Sequence, residues 1–405
     1  MRVLLMSHGS RGDVQPLAAL AVRLRALGAV VRVCAPPDDE FADLLAGFGV
    51  PMVPCGQPMR ALVRKAAPDN SAKIVAELVA THFDTVASAA EDCDVVMAAT
   101  YLPAGVRSVA EVLGIPYVYT CFHPFELPSA HYPPSWPFYP PEVTDNRALW
   151  GLEAERLNGM FGTVLNKHRA ALGLPLVDDV RAHVHTDRPW LAADPVLGPW
   201  QGLPDSDVVQ TGAWLLPDDR PLAPELESFL DAGDPPVYVG FGSMPMQTSD
   251  DVAQVVVEAV RAQGRRVLVS RGWADLAPID DQDDCFAVGE TNHQALFRRV
   301  AAVVHHGGAG TTTAAALAGA PQVAVPQYWD QPRWAARVTE LGIGAAHDGR
   351  APTFESLSAA LATALAPETR TRAQAVAGTI RTDGADVAAK LLLDTISQAR
   401  PPVSA

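Results

Sequence analysis

The chain has 405 residues, of which 48% are apolar, and a formal net charge of −15 at pH 7. This length suits two α/β domains of roughly 200 residues each, and the acidic balance argues against nucleic acid or an anionic membrane as a partner. Apolar residues come in short runs, so we expect no membrane-spanning helix, which would need about 18 apolar residues in succession.

The first apolar run is too short for the hydrophobic segment of a signal peptide, because Ser7–Arg11 interrupts it. The five cysteines are scattered and form no CxxC pair, which is typical of reduced thiols in a cytosol. We therefore expect a cytoplasmic protein, and a monomer.

The first half of the chain alternates apolar runs with amphipathic segments. Val3–Met6 predicts a strand, His8–Asp13 a loop, and the next segment a helix with Pro16 near its first turn and Gly28 at its end. Further strands are predicted at Val30–Cys34, Val95–Ala98 and Tyr117–Thr120, with a helix at Gly105–Leu113. Repeated β–α–β units of this kind build a parallel sheet.

The same alternation restarts in the second half. The predicted strands there are Val237–Phe241, Val267–Ser270, Val300–His306 and Gln322–Val325. Two such series indicate an α/β fold of two doubly wound, Rossmann-like domains, with ligands at the carboxyl ends of the strands. We place the domains at residues 1–203 and 221–383, joined by a Pro- and Asp-rich linker at 204–220 and followed by a helix and tail at 384–405.

The strongest local motif runs from Val303 to Thr312, where an apolar strand enters a glycine-rich turn that opens a helix. Free N–H groups at a helix start can receive a diphosphate, and His306 and Thr311 add side-chain donors. A turn that only packs the strand against the helix remains the alternative.

Two weaker features of the second half point to the same kind of ligand. Gly240–Ser243 ends another strand, so Ser243 could assist at a diphosphate, although a plain turn is an equal alternative. Trp273 could flank a nucleotide base, or simply be packed.

Gly9–Asp13 follows the first strand but lacks the GxGxxG pattern of a dinucleotide site. Asp13 is a carboxylate at the edge where ligands bind, and a helix N-cap is its alternative role. In the second half, Asp330 and Gln331 supply acceptors and donors suited to the hydroxyls of a sugar, with a ligand-free polar loop as the alternative.

Residues 122–150 are rich in proline and aromatic residues. So long a loop in a compact domain is usually functional or disordered, and aromatic side chains could stack on a flat acceptor. The candidates are Phe122, His123, Tyr132 and Trp136. A packed structural loop is the alternative.

Several segments together resemble the GT-B glycosyltransferases of glycopeptide-antibiotic biosynthesis, of the vancomycin and teicoplanin type. They are Arg2–Pro16, Gly49–Pro51, Trp190–Pro195, Gln210–Trp214, Val239–Ser243, His305–Thr311 and Asp330–Gln331. The resemblance spans essentially the whole chain. It implies two Rossmann-like domains facing across a cleft, an N-terminal acceptor domain, a C-terminal donor domain, and a last helix that crosses back to the first domain.

The resemblance also implies a hexosyltransferase that inverts the anomeric carbon, with no metal and no cofactor beyond its UDP- or TDP-sugar substrate. Asp13 would be the general base, with Ser10 beside it near the donor phosphate. The diphosphate would be held by Ser243, His306, Gly308, Ala309, Gly310 and Thr311. The donor sugar would contact Asp330 and Gln331, and the acceptor would be a glycopeptide aglycone or pseudoaglycone.

Three alternatives remain at this point. The acceptor could be another aromatic or polyketide natural product. The chain could be a nucleotide-sugar epimerase, which would turn over its donor without an acceptor. The third alternative is a non-catalytic protein that binds and stabilises a partner transferase. The presence of Asp13, His306 and Asp330, the residues assigned to catalysis and donor binding, argues against it.

Overall fold

The computed structural model describes residues 1–65, 71–100, 103–135, 138–203, 206–242, 252–272, 280 and 282–399. The chain divides into two compact units. The first contains Met1–Asp194, Pro199–Leu216 and the segment that begins at Arg381, and the second contains Pro195–Gly198 and Pro217–Ile380. Each unit is a parallel sheet with helices, so the predicted fold class is confirmed.

The sheet of the first unit has the order β3-β2-β1-β4-β5-β6-β7 among the described residues. Its strands are β1 (Arg2–Ser7), β2 (Val30–Ala35), β3 (Met52–Pro54), β4 (Val95–Ala99), β5 (Tyr117–Cys121), β6 (Trp190–Leu191) and β7 (Val209–Gln210). In β1, Val3 pairs with Val31 on one side and Val95 on the other. Residues Val3–Met6 are buried, as expected for a central parallel strand covered on both faces.

The helices of the first unit connect and cover these strands. They are α1 (Arg11–Ala26), α2 (Asp39–Gly47), α3 (Met59–Lys65), α4 (Ser71–Thr81), α5 (Ala87–Ala90), α6 (Val106–Leu113), α7 (Asn146–Leu157), α8 (Thr163–Ala171) and α9 (Val180–His185). Two π-helical turns, His82–Val86 and Asn158–Gly162, continue α4 and α7. The order reverses between β1 and β4, which makes the carboxyl ends of those two strands the switch point where ligands bind in such sheets.

The second unit repeats this arrangement with the order β10-β9-β8-β11-β12-β13. Its strands are β8 (Val237–Gly240), β9 (Val267–Ser270), β10 (Cys285–Val288), β11 (Ala302–His305), β12 (Gln322–Ala324) and β13 (Gly344–Ala346). Its helices are α10 (Pro224–Asp231), α11 (Val252–Ala262), α12 (His293–Leu296), α13 (Ala309–Leu317), α14 (Gln331–Glu340), α15 (Phe354–Ala364) and α16 (Pro367–Ala377). The switch point lies between β8 and β11, where Gly240 pairs with His305.

The last helix, α17 (Gly384–Ala399), packs in the first unit. Ala388, Leu392 and Ile396 share a core with the buried face of α1. Arg23 on α1 pairs with Asp386, with 2.7 Å between Nε and Oδ1. This core therefore depends on residues from both ends of the chain.

The segment that we predicted as a linker is organised differently. Trp214 and Leu216 lie in the core of the first unit, and the Trp214 indole donates to Thr211 Oγ1 at 2.9 Å. Apart from the short segment Pro195–Gly198, the chain passes to the second unit between Leu216 and Pro217 and returns between Ile380 and Arg381. The Pro- and Asp-rich composition is typical of an exposed linker. Trp214 and Leu216 nevertheless lie in the core, because burying two large apolar side chains is more favourable than leaving them in water.

Candidate functional site

The turn between β1 and α1 fixes Asp13 through its own helix. Ser10 is the N-cap of α1 and its hydroxyl accepts the Gly12 N–H, while Asp13 Oδ2 accepts the Ser10 N–H at 2.7 Å. Asp13 is thus the third helical residue of a capping box rather than the N-cap that we considered as its alternative role. One of its two oxygens is occupied by capping.

Gly9 allows this carboxylate to fold back over the turn. A Cβ added at Gly9 would lie 2.0 Å from Asp13 Oδ2, so any larger residue would displace the carboxylate. The glycine before Ser10 is therefore needed for close approach rather than for its backbone angles.

The other oxygen of Asp13 reaches across the switch point to β4. Thr100, the residue after β4, donates its hydroxyl to Asp13 Oδ1 at 2.8 Å. Burial raises the pKa of Asp13 to about 6, and the hydrogen bond from Thr100 opposes that rise. A carboxylate with this pKa is ionised at neutral pH and can accept a proton there. Sequence analysis missed Thr100; its only signal is a hydroxyl residue at the end of the neighbouring strand.

A pair of buried histidines lies beside the same turn. His8 Nε2 is 3.0 Å from His82 Nε2, and the Gly105 N–H donates to His82 Nδ1 at 3.2 Å. His82 therefore carries its proton on Nε2 and donates it to His8. Burial lowers the pKa of His8 to about 4, so both rings are neutral at physiological pH.

In the second unit, the two adjacent histidines of the glycine-rich motif have different roles. His305 is buried, its Nδ1 accepts the Gly307 N–H at 3.0 Å, and its Nε2 lies 2.9 Å from Gln322 Oε1. Its hydrogen bonds hold the turn. The anion contact that we predicted concerns the other histidine, His306, and the ring nitrogens of His305 are committed to the turn and to Gln322.

The His306 ring lies between two glycines at the switch point. A Cβ added at Gly308 would be 2.4 Å from His306 Nε2, and one at Gly242 would be 3.3 Å from Cε1. His306 Nδ1 is buried and has no hydrogen-bond partner among the described residues. Because burial lowers the pKa of His306 to about 4, this neutral ring can offer one N–H to a ligand.

Helix α13 begins at Ala309, directly after Gly308. Helix geometry leaves the N–H groups of Ala309, Gly310 and Thr311 without intrahelical acceptors. Thr313 donates its hydroxyl to the Ala309 carbonyl at 2.8 Å, so that hydroxyl is committed to the helix. The start of α13 thus offers three amides, the Thr311 side chain and the Thr312 hydroxyl, which is buried without a hydrogen-bond partner among the described residues.

The loop after β12 places Asp330 and Gln331 at the start of α14. The Trp334 indole donates to Asp330 Oδ2 at 2.8 Å, and Gln331 Oε1 accepts the Gln327 N–H at 2.8 Å. Trp334 was missed by sequence analysis. Gln331 is buried and its carbonyl oxygen is committed to the loop, which leaves its NH₂ group for a ligand.

The aromatic segment is packed more tightly than we predicted. Phe122 is buried and meets Trp214 edge-on, with ring centroids 5.8 Å apart. Tyr132 is buried and donates its hydroxyl to the Pro124 carbonyl at 3.0 Å. Both rings contact protein rather than standing open for an acceptor, so the packed-loop alternative describes these two residues better.

His123 belongs to a half-buried polar cluster in the same segment. His123 Nε2 lies 3.1 Å from Glu126 Oε1, and the Tyr119 hydroxyl donates to Glu126 Oε2 at 2.6 Å. Burial raises the pKa of Glu126, but the charge of His123 and these hydrogen bonds together bring it below its ordinary value. The charges of Glu126 and His123 both act on Asp13.

Three predicted site residues, Ser243, Trp273 and Trp136, lie outside the described residues. Within the described part of the chain, no three His, Cys, Asp or Glu side chains are grouped so that they could hold a metal ion. No helix in that part is long and apolar enough to cross a membrane.

Comparisons with known proteins agree with this architecture. Residues 3–131 match the glycosyltransferase family 28 N-terminal domain, and residues 283–389 match the C-terminal domain of erythromycin biosynthesis protein CIII-like proteins. The solved structure of the kitacinnamycin glycotransferase superposes with a TM-score of 0.74 at 20% identity, covering 97% of this chain and 98% of that one. The two switch-point units and these matches define a GT-B glycosyltransferase.

Full-length relatives make the assignment narrower. Three proteins of Amycolatopsis orientalis match over 100% of both chains: glycosyltransferase GtfE at 58% identity, vancomycin aglycone glucosyltransferase at 57% and dTDP-epi-vancosaminyltransferase at 52%. The chain belongs to the family of glycosyltransferases of vancomycin-type glycopeptide-antibiotic biosynthesis.

Proposed function

We propose that this enzyme transfers a hexose from a UDP- or TDP-sugar to a hydroxyl group of a glycopeptide-antibiotic aglycone or pseudoaglycone. Two full-length relatives support both substrate classes, because one is named for a vancomycin aglycone and glucose and the other for a dTDP-linked sugar. The identity of 52–58% extends over the whole length of these relatives, so the similarity covers both units of the chain.

The observation that carries the proposal is the environment of Asp13. Its carboxylate lies at the β1–β4 switch point, is held on both oxygens, and has a pKa near 6. In the proposed reaction the acceptor oxygen attacks the anomeric carbon and its proton passes to Asp13. The oxygen attacks from the face opposite the diphosphate, which leaves with the electron pair of the broken bond, so an α-linked donor gives a β-linked product.

The second unit would bind the donor. We propose that His306, Thr311 and the free amides at the start of α13 hold the diphosphate, because they combine unpaired donors with the positive end of the helix dipole. Asp330 and the NH₂ group of Gln331 would contact the sugar hydroxyls. These groups need no bridging cation, so we expect turnover to persist in EDTA.

The test is a transfer assay with UDP-glucose and TDP-sugars against a vancomycin-type aglycone and its monoglucosylated form, with products identified by mass and anomeric configuration. We expect one β-linked product, and an Asp13→Asn enzyme slower by about 10²–10⁴-fold. Donor turnover without acceptor would indicate an epimerase, and no turnover with any pair would favour the helper hypothesis. Near-normal turnover of Asp13→Asn would exclude Asp13 as the base but would leave the proposed transfer reaction standing.

A further inference from the structure

Thr100 lies at the switch point of the first unit, where the strand order of the sheet reverses between β1 and β4. It follows β4, whose residue Ala99 pairs with Ser7 at the end of β1. The side chain is buried, with 3% of its surface exposed, and its hydroxyl is 2.8 Å from Asp13 Oδ1. Thr100 thus contacts the carboxylate from a different strand, 87 residues along the chain.

The backbone of Thr100 is strained. Its φ is +45°, a left-handed conformation that is unfavourable for a β-branched residue and easy for glycine. The surrounding sheet enforces it, because the Thr100 N–H donates to the Thr120 carbonyl at 3.1 Å. Glycine would adopt that backbone without strain, so the presence of a threonine at this position points to a role for its side chain.

The hydroxyl completes the support of a carboxylate that would otherwise be held at one oxygen. The Ser10 N–H and, at 3.4 Å, the Ser10 hydroxyl donate to Oδ2, and the Thr100 hydroxyl alone donates to Oδ1, so the plane of the carboxylate is fixed and Oδ1 keeps a lone pair. Among the described residues, Glu126 and His123 are the charged groups that act on Asp13. Thr100 is the larger of two neutral donors, with the Ser10 N–H, that stabilise the ionised form against burial.

We propose that Thr100 is a positioning residue, which aims the Asp13 carboxylate at the acceptor hydroxyl and keeps it ionised for catalysis. The inference rests on the proposed role of Asp13 as the base. In the step that it supports, the acceptor oxygen bonds to the anomeric carbon, the diphosphate leaves with the electrons of the broken bond, and the hydroxyl proton moves to Asp13. Thr100 itself gains and loses no proton.

The primary test compares Thr100→Val, which keeps the shape but lacks the hydroxyl, with Thr100→Ser, which keeps the hydroxyl. With UDP-glucose and a vancomycin-type aglycone, we expect Thr100→Val to lower kcat about 10- to 100-fold and to move the acid limb of the kcat–pH profile up by about one pH unit. Thr100→Ser should stay within about threefold of the wild-type rate, with its acid limb unmoved. Equal losses in both variants with no movement of the acid limb would show a merely structural role and overturn the proposal.

A second measurement needs no substrate. In protein labelled with ¹³C at the aspartate carboxyl groups, Asp13→Asn identifies the Asp13 signal, and its titration midpoint should rise in Thr100→Val and not in Thr100→Ser. An unchanged midpoint in Thr100→Val overturns the proposal whatever the turnover. If the Val variant does not fold, Thr100→Gly, which also relieves the backbone, should give the same upward movement.

The two hypotheses fail in different ways. If Asp13 is not the base, Asp13→Asn retains turnover although the titration midpoint still depends on Thr100. If Thr100 acts only through Asp13, then adding Thr100→Val to Asp13→Asn should cause no further loss of kcat. A full additional loss would mean that Thr100 acts by another route and would overturn the positioning role.

Discussion

At the scale of single residues, Asp13 is arranged for reactivity at a cost in stability. Its folded pKa of about 6 lies above the 3.8 of an unperturbed aspartate because the carboxylate is buried. The folded protein therefore holds the proton more tightly than the unfolded chain does. No cost is incurred below pH 3.8, where both states are protonated; the cost grows between pH 3.8 and 6 and is complete above pH 6.

We expect Asp13→Asn to be more stable than the wild-type enzyme at pH 8, by roughly 1–3 kcal/mol in the free energy of unfolding. An amide has no charge to bury and can still accept the Ser10 N–H. The gain should shrink as the pH falls below 6, which urea unfolding at pH 8 and pH 5 would measure. Asp145→Asn, at the exposed N-cap of α7, is the control and should change little. A less stable Asp13→Asn variant at pH 8 would contradict this account.

At the scale of elements, α13 separates threonines of identical chemistry by their hydrogen bonds. Thr313 returns its hydroxyl to the Ala309 carbonyl within the helix, whereas Thr311 lies in the first turn beside the free amides. Position in the turn, rather than residue type, decides which hydroxyl can meet a ligand.

We therefore expect Thr311→Val to weaken the binding of free UDP or TDP about 5- to 30-fold, which corresponds to the loss of one hydrogen bond to a charged group. Thr313→Val makes the same chemical change two residues later and should leave affinity unchanged. Isothermal titration calorimetry would measure both. Equal affinities in the two variants would remove Thr311 from the diphosphate site.

Helix α14 offers a second test at this scale, because Trp334 supports Asp330 from one turn away. Trp334→Phe keeps an aromatic ring in the core but removes the indole donor. We expect the KM for the sugar donor to rise about 5- to 30-fold, with the affinity for free nucleotide unchanged. Trp214→Phe, which loses a comparable indole hydrogen bond to Thr211 in the other core, is the control and should not change that KM. Unchanged KM in Trp334→Phe would contradict the support of Asp330.

The central strands of the two sheets, β1, β2, β4 and β5 and then β8, β9, β11 and β12, could be predicted from the sequence because buried parallel strands are short continuous apolar runs bounded by glycine and polar residues. The short outer strands β3, β6, β7, β10 and β13 were missed. The glycine-rich turn at α13 could be predicted for the same local reason. The bond between Thr100 and Asp13 could not, because nothing near either residue indicates a partner so distant in sequence. The packing of Phe122 on Trp214 was missed likewise, since an aromatic residue in a proline-rich loop has the same local pattern whether it packs or binds.

At the scale of the whole molecule, several buried histidines are kept neutral by burial. Among the described residues they are His8, His82, His183, His185, His305 and His306, and in each the pKa is lowered, to about 3 or 4 in five of them and well below 6.5 in His82. The unfolded chain binds these protons near pH 6.5, so folding stability falls as the pH drops below that value. The raised pKa of Asp13 has the opposite effect on folding stability over this pH range, but it is one group against six histidines.

We expect the free energy of unfolding to fall steeply between pH 7 and pH 5, by up to about 2 kcal/mol for each of these histidines. Urea midpoints measured at half-unit steps of pH would show it. His183→Asn should make the free energy of unfolding less dependent on pH in this range, because one titrating group is removed. Constant stability from pH 7 to pH 5 would show that the histidines take up protons in the folded state.

The packing of α17 on α1 has a consequence for synthesis and recombination of this enzyme. The ribosome makes α1 among the first residues and α17 among the last, so the core that contains Leu17 and Leu392 can close only after nearly the whole chain has been translated. In a hybrid of two relatives, one crossover at Leu216–Pro217 would join α1 of one parent to α17 of the other and separate Arg23 from its own Asp386. A second crossover at Ile380–Arg381 keeps the two helices from one parent, so exchange of the second unit calls for two junctions.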